Sequence, residues 1–184
     1  MEIRTAKLED IRQLVALQES CHVSNLDESD KSDGFLNTVL DEGLLKQVIQ
    51  KEEAVFVAEI DHVIVAMAVC ASWQFWRCSE GLTSVATKLS TVTIESTQLN
   101  TTNSYFWGPV CVGKGSRGQG VFEKLFQFSC KSKSGEFPYV YTYVHQDNAR
   151  SFSAHTQKAG FKYVKDFELN GQTFKEMVRP TEVA

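Results

Sequence analysis

Residues 105–126, YFWGPVCVGKGSRGQGVFEKLF, decide the fold of this chain because a strand pattern changes there to a helix pattern across one glycine-rich turn. Residues 105–112 are apolar and rich in aromatic and β-branched side chains, which predicts a buried strand. A helix is expected from Gly120 to about Lys131. Backbone N–H groups at the start of a helix lack internal partners, and the helix dipole adds partial positive charge there. The stretch is therefore a candidate site for a phosphate-bearing ligand.

Size and composition favour a single domain over residues 1–184. The chain is 42% hydrophobic, enough for a substantial core. Its 23 acidic and 19 basic residues give a net charge of -4, which argues against nucleic acid as a partner and provides no polybasic membrane surface. No apolar run approaches the roughly 20 residues of a membrane span, and the five cysteines show no CxxC spacing. We therefore expect a cytoplasmic protein with reduced thiols.

The remaining periodic segments predict a mixed α/β domain with about seven strands. Asp147 is a candidate N-cap for a helix ending before Gly160, and Asn170-Gly171 is a hairpin turn signal. Residues 73–103 fit neither period cleanly and are interpreted as a variable insert of loop and helix. Helices are expected at residues 8–21, 40–49 and 148–159, and strands at 1–5, 55–59, 63–72, 105–112, 139–144, 161–169 and 172–179.

Two familiar phosphate-loop motifs fit the glycine-rich turn poorly. Gly113, Gly115 and Gly118 satisfy GxGxxG, but that motif needs an acidic residue at the end of the following strand, and Glu136 lies before it. A GxxxxGK[ST] match starting at Gly108 has an apolar strand-like interior and a glycine in place of the final hydroxyl residue. Neither a dinucleotide fold nor a P-loop is therefore predicted.

The turn resembles the pyrophosphate loop of the GNAT acetyltransferase superfamily, whose signature is [QR]-x-x-G-x-[GA]. Residues 117–122, RGQGVF, match it except at Phe122, where a small residue is usual. Downstream, Asn148, Ser151 and Gly160-Phe161 also match the superfamily pattern. The interval between Asn148 and Gly160 is one residue longer than in most members. Matching blocks cover residues 105–161, and the order of elements extends the resemblance to nearly the whole chain.

The resemblance implies a fold and a reaction. The GNAT fold is a mixed, mostly antiparallel twisted sheet whose parallel fourth and fifth strands splay apart to admit acetyl-coenzyme A, with helices on both sides. The implied activity is an acetyl-CoA-dependent N-acetyltransferase, in which a small-molecule or protein amine attacks the thioester directly. Alternatives are a non-catalytic coenzyme A sensor and a transferase of a longer acyl group. The resemblance does not identify the acceptor, and it leaves room for a homodimer.

The same resemblance implies the residues that hold the cofactor. Loop amides would bind the diphosphate, with Lys114 and Arg117 as added cations, while the strand before the loop would hydrogen-bond the pantetheine arm. A backbone N–H near Cys111 or Val112 would stabilise the oxyanion. The predicted cofactor-binding residues are Val110, Cys111, Val112, Arg117, Gly118, Gln119, Gly120, Val121, Phe122, Asn148 and Ser151.

The catalytic groups are less defined. His155 or Thr156 stands where the family often has a helix Tyr that protonates the leaving thiolate, so His155 is the candidate acid; its alternative is a buried structural histidine. The general base is unknown, with Glu59, Glu95 and His145 as unranked candidates. Cys111 is interpreted as a core residue.

Three further expectations concern metals and the acceptor. No His or Cys spacing matches a metal site, so no metal is expected. The acidic segment 25–33 could attract a cationic acceptor or be a solvated loop. Trp73, Phe75 and Trp76 could line an acceptor pocket or fill the core.

Overall fold

A mixed β-sheet in two four-stranded halves runs through the molecule, and the computed structural model describes it with the rest of residues 1–182. The strand order is β1-β2-β3-β7 in one half and β6-β8-β10-β9 in the other, and only the β6–β8 pair is parallel. β4 and β5 form a separate small hairpin. The strands are β1 (Glu2–Thr5), β2 (Val55–Ile60), β3 (Val63–Val69), β4 (Thr93–Ile94), β5 (Thr97–Gln98), β6 (Ser104–Phe106), β7 (Val110–Val112), β8 (Tyr139–His145), β9 (Lys162–Leu169) and β10 (Gln172–Pro180).

Helices cover both faces of the sheet. One apolar cluster joins one face to α1, α3 and α4, and a second cluster joins the other face to α5. Each helix buries a stripe of apolar side chains, such as Leu45, Val48 and Ile49 on α3. The helices are α1 (Ile11–Cys21), α2 (Glu28–Lys31), α3 (Glu42–Glu52), α4 (Glu80–Ala86), α5 (Val121–Lys133) and α6 (Ala149–Ser153), which a π-helical turn (Ala154–Lys158) continues.

The predicted mixed, mostly antiparallel fold is confirmed, but the prediction of one unbroken strand at residues 105–112 is wrong. β6 pairs with β8, whereas β7 pairs with β3. The exchange occurs between Trp107 and Gly108. The Trp107 N–H still donates to the Tyr141 carbonyl on β8, whereas the Gly108 N–H donates to the Val69 carbonyl on β3. Alternation of side chains along a strand carries no information about which neighbour it pairs with. Because of the exchange, β7 and β8 diverge and leave a gap between them.

The helix after β8 begins one residue later than predicted. The side chain of Asn148, not Asp147, accepts a hydrogen bond from the Ser151 N–H and caps α6. The π-helical turn then widens the helix, with the Ala159 N–H donating to the Ala154 carbonyl at 3.1 Å. A π-turn accommodates one additional residue within a helix. It thus accounts for the longer interval between Asn148 and Gly160.

The insert at residues 73–103 contains the expected helix, α4, and an unpredicted hairpin, β4–β5. Trp73 and Trp76 are both buried in the core cluster on the α1 side of the sheet. The Trp73 indole N–H donates to the Ser104 hydroxyl at 3.1 Å, which fixes the insert to the start of β6. The insert therefore completes one wall of the sheet rather than forming a separate unit.

Candidate functional site

Two cavities meet at the gap between β7 and β8. The first, which we name the loop cleft, lies between β7, the glycine-rich turn and α6, and the second, the aromatic cavity, lies between β8, the insert and the β9–β10 turn. Both are lined by Phe35, Leu36, Val110 and Ser151. The two cavities therefore form one continuous site with Val110 at the junction.

The structure brings most of the predicted cofactor residues to the loop cleft. Asn148 lines the aromatic cavity instead, and Gln119 lines neither cavity; its amide donates to the Gly115 carbonyl at 3.0 Å and supports the turn. The predicted residues that line the loop cleft are Val110, Cys111, Val112, Arg117, Gly118, Gly120, Val121, Phe122 and Ser151.

The start of α5 is open towards the loop cleft. Gly120 is the N-cap residue, and among residues 1–182 no side chain caps this end of the helix. Gly118 and Gly120 both have left-handed backbones, with φ of 75° and 73°, which bring the loop over the helix end. The first N–H groups of a helix have no partner within it, so those of α5 are available to an anion.

Phe122, the departure from the GNAT loop signature, packs inward from the first turn of α5. Its ring contacts the ring of His155 at a centroid distance of 5.1 Å and that of Trp107 at 6.2 Å. Both contacts are edge-on, the favourable arrangement for aromatic pairs. A large residue at this position therefore fills space against Trp107 and α6 instead of blocking the loop.

β7 directs two backbone N–H groups into the gap. The Gly113 N–H donates to the Val65 carbonyl and the Val69 N–H donates to the Pro109 carbonyl, and Cys111 lies opposite Met67. Because hydrogen-bonding groups alternate in direction along a strand, the N–H groups of Val110 and Val112 point away from β3. They face the space where β7 and β8 have separated.

Acidic residues of the segment before α3 pair with the basic residues around the loop cleft. Asp30 contacts the Lys114 ammonium at 2.8 Å, and Asp33 contacts Arg150 at 3.0 Å. Arg117 donates to the backbone carbonyls of Val112 and Asp33, both at 2.9 Å. The guanidinium of Arg117 thus connects this segment to the loop, a role that the sequence pattern does not predict.

Two cysteines meet on one wall of the loop cleft. The pKa of Cys21 is lowered to about 6, mainly by a hydrogen bond with Cys111. The positive charge of Arg117 lowers it further. The same contact with Cys21, together with burial, raises the pKa of Cys111. Cys111 is 7% exposed and lies in the core cluster, as expected for a residue that stays a neutral thiol.

His155 is held as a neutral residue between the two cavities. Its Nε2 accepts a hydrogen bond from the Trp107 indole at 3.0 Å, and its Nδ1 lies 2.7 Å from the Ser151 carbonyl. Those partners place the proton on Nδ1. Burial lowers the pKa of His155 to about 4. Both ring nitrogens are engaged, so the contacts favour the structural alternative over proton donation to sulfur.

Of the three candidate bases, only His145 lines either cavity. Glu59 accepts two hydrogen bonds from Arg4 on β1, and Glu95 lies in the turn between β4 and β5. The His145 ring packs against Phe35 and Phe174, at centroid distances of 5.9 and 5.5 Å. Its Nδ1 accepts a hydrogen bond from the Asp147 N–H at 3.2 Å and lies 3.7 Å from the Asp147 carboxylate.

The aromatic cavity has a volume of about 350 Å³ and no formally charged lining. None of its lining residues is Asp, Glu, Lys or Arg. Its mouth carries exposed amide and hydroxyl side chains, among them Asn37, Thr38, Asn170 and Gln172. The aromatic side chains that line it are Phe35, Trp76, Phe106, Trp107, Tyr143 and Phe174.

Residues 1–182 contain no group of three potential metal ligands. Within the same residues, no helix is both long and apolar enough to span a membrane.

The fold is that of the GNAT N-acetyltransferases. A ribosomal-protein-alanine N-acetyltransferase from Brucella melitensis is 17% identical, with a TM-score of 0.64 over 98% of this chain and 99% of that one. A GNAT-family acetyltransferase from Streptococcus pneumoniae is 14% identical, with a TM-score of 0.64 over 97% and 98%. A putative acetyltransferase from Salmonella typhimurium, solved with acetyl-CoA, is 13% identical, with a TM-score of 0.64 over 98% and 94%. No protein-family model and no curated protein sequence matches.

Proposed function

We propose that the protein transfers an acetyl group from acetyl-CoA to a primary amine. The observation that carries this proposal is the pairing of an uncapped α5 terminus with the open edge of β7, since together they match the two polar parts of coenzyme A. The diphosphate binds the amides of residues 118–122, where the helix dipole favours negative charge. Pantetheine continues β7 by hydrogen-bonding to the N–H groups of Val110 and Val112.

The thioester then lies at Val110, where the two cavities join. The N–H of Val110, directed into the gap, stabilises the oxyanion that forms when the amine attacks the carbonyl carbon. Of the two positions expected from the sequence, the Cys111 N–H faces β3, whereas the Val112 N–H faces the gap beside that of Val110. Collapse of the intermediate breaks the C–S bond and releases the thiolate of coenzyme A. Because a thiol has a pKa of about 8.5, the thiolate leaves without obligatory help from an acid.

His145 is the base in this proposal. An alkyl amine has a pKa of about 10.4, so it reaches the site as an ammonium and must lose a proton before attack. His145 lines the aromatic cavity, and its Nε2 takes that proton directly or through water. For this step the neutral ring carries its own proton on Nδ1, directed at the Asp147 carboxylate 3.7 Å away, instead of accepting the Asp147 N–H as it does here. His155 acts as a positioning residue that holds Trp107 and the wall shared by the cavities.

Two measurements test the proposal together. Calorimetry with acetyl-CoA is expected to show binding, and a thiol-release assay over a panel of amines is expected to show acceptor-dependent release of coenzyme A. Binding without release by any amine would favour a non-catalytic coenzyme A-binding module. A larger release with a longer acyl-CoA would favour that acyl group as the donor. Absence of binding to any of these thioesters would contradict the proposal.

A further inference from the structure

We propose that the acceptor is a primary amine carried on an aromatic, otherwise uncharged body. The inference rests on the proposed function and concerns the aromatic cavity, which would receive the acceptor next to Val110. It is drawn from the lining of that cavity, since six aromatic side chains and no formally charged one surround it.

The walls of the aromatic cavity form a continuous aromatic surface. Phe174 contacts Tyr143 edge-on at a centroid distance of 5.1 Å, and Tyr143 contacts Phe106 at 5.3 Å. Trp76 extends the surface, edge-on to Phe106 at 5.8 Å. Flat rings of a ligand stack or pack edge-on against such walls, with a gain beyond that of simple burial. The rings that line the cavity also attract an alkylammonium before it loses its proton.

Apart from His145, which the proposed function uses as the base, the same walls offer no group that would neutralise a second charge. Burial raises the pKa of Tyr143 to about 12, so its hydroxyl stays uncharged, and His155 stays neutral because its pKa is lowered to about 4. The ion pair of Asp33 with Arg150 lines the loop cleft, not the aromatic cavity. Burying an unpaired carboxylate or ammonium is strongly unfavourable. Amino acids and polyamines are therefore poor acceptors.

The size of the cavity agrees with this class. About 350 Å³ is at the lower end of the range for small-molecule sites. The mouth is ringed by neutral amides, Asn37, Asn170 and Gln172, which suit a polar but uncharged outer end of the ligand. An arylalkylamine with one or two rings places its amine at Val110 and its ring against the wall formed by Tyr143 and Phe174.

The test compares three acceptors that share a primary amine. These are 2-phenylethylamine, phenylalanine, which adds a carboxylate, and 1,5-diaminopentane, which replaces the ring by a second ammonium. With acetyl-CoA as donor, kcat/KM for 2-phenylethylamine is expected to exceed that for each of the others by tenfold or more. Equal or greater kcat/KM for phenylalanine or the diamine would overturn the inference. So would acetyl-CoA binding without turnover of 2-phenylethylamine. Absence of acetyl-CoA binding would instead overturn the proposed function.

Two matched variants distinguish the effect of a charge at the aromatic cavity from the effect of the same charge elsewhere on the surface. Gln172→Glu places a carboxylate at the mouth of the aromatic cavity, and Gln127→Glu adds the same charge to the exposed side of α5. Gln172→Glu is expected to raise kcat/KM for the diamine relative to 2-phenylethylamine by about two- to fivefold, the effect of a partly exposed ion pair. Gln127→Glu should leave that ratio unchanged. Equal effects of the two variants would contradict the placement of the acceptor.

Discussion

The loop cleft and the aromatic cavity meet at Val110, yet they are built in different ways. Ten of the nineteen residues that line the loop cleft come from one short segment, from β7 to the start of α5, and its rim carries paired charges such as Asp33 with Arg150. The aromatic cavity is assembled from distant parts of the chain, among them Phe35, Trp76, Tyr143 and Phe174, and its lining is formally uncharged. The charged loop cleft suits a donor that carries phosphates. The aromatic cavity suits an acceptor that is uncharged apart from its amine.

The largest expected effect concerns His155 on the wall between the two regions. Its pKa is lowered from 6.5 to about 4 by burial, so the folded protein keeps the ring neutral where the unfolded chain protonates it. The unfolded state therefore binds more protons below pH 6.5, and the stability of the fold falls as the pH drops from about 6.5 to 4. The loss should approach about 3 kcal/mol.

Urea unfolding at a series of pH values measures this loss. In His155→Phe the change in the free energy of unfolding over that pH range should shrink by the same amount. In His62→Gln, a substitution in an exposed turn, the change should be as large as in the unaltered protein. An unchanged pH dependence in His155→Phe would mean that the ring is not held neutral.

The second prediction tests whether the aromatic cavity serves catalysis while the loop cleft binds the cofactor. His145→Gln removes the proposed base from the aromatic cavity, so kcat should fall about 100-fold, a usual contribution of general base catalysis. The dissociation constant for acetyl-CoA should stay the same because His145 does not line the loop cleft. Steady-state kinetics measures kcat, and calorimetry measures the dissociation constant for acetyl-CoA. Added imidazole should restore part of kcat in the variant. A weaker affinity for acetyl-CoA with unchanged kcat would reverse the assignment.

The third prediction concerns the loop cleft. Gly120→Asp places a carboxylate at the start of α5, where it would repel the diphosphate, so affinity for acetyl-CoA should fall tenfold or more. Space for a side chain is open there, but the φ of 73° strains any residue other than glycine. Gly120→Asn carries the same strain without the charge and is the matched control. Equal affinities of the two variants by calorimetry would reject the diphosphate site.

The smallest expected effect comes from the acidic segment over the loop cleft. Asp33→Asn removes the partner of Arg150 and frees that cation for the phosphates of the cofactor. Because the pair is about half exposed, the affinity for acetyl-CoA should rise only about two- to threefold, and less at high salt. Asp27→Asn removes a charge from the same segment outside the cleft and should change little. Weaker binding in Asp33→Asn would show that the segment supports the cofactor instead.

The contrast between the regions also explains what the sequence could predict. The glycine-rich turn was recognisable because its glycines, its strand and its helix are adjacent in the chain, and nine of the eleven predicted cofactor residues line the loop cleft. The aromatic cavity depends on contacts between Phe35, the insert and β8, which no local pattern reports. The break at Gly108 was missed for a related reason, since a strand looks the same whichever neighbour it pairs with.

The role of His155 was undecidable from sequence for a different reason. A helix histidine can face a ligand or the core, and only its contacts with Trp107 and Ser151 distinguish these. His145 could not be ranked above Glu59 and Glu95 until the structure placed it in a cavity. A signal existed in its position at the end of the strand that follows the loop helix, next to the predicted gap.

A crystal structure of the protein with coenzyme A bound would test the central claim most directly. The account predicts diphosphate oxygens within about 3.2 Å of the backbone nitrogens at the start of α5, and pantetheine hydrogen-bonded to Val110 and Val112. The cofactor sulfur should lie at the junction with the aromatic cavity. A diphosphate bound elsewhere, or a pantetheine arm that avoids the edge of β7, would contradict it.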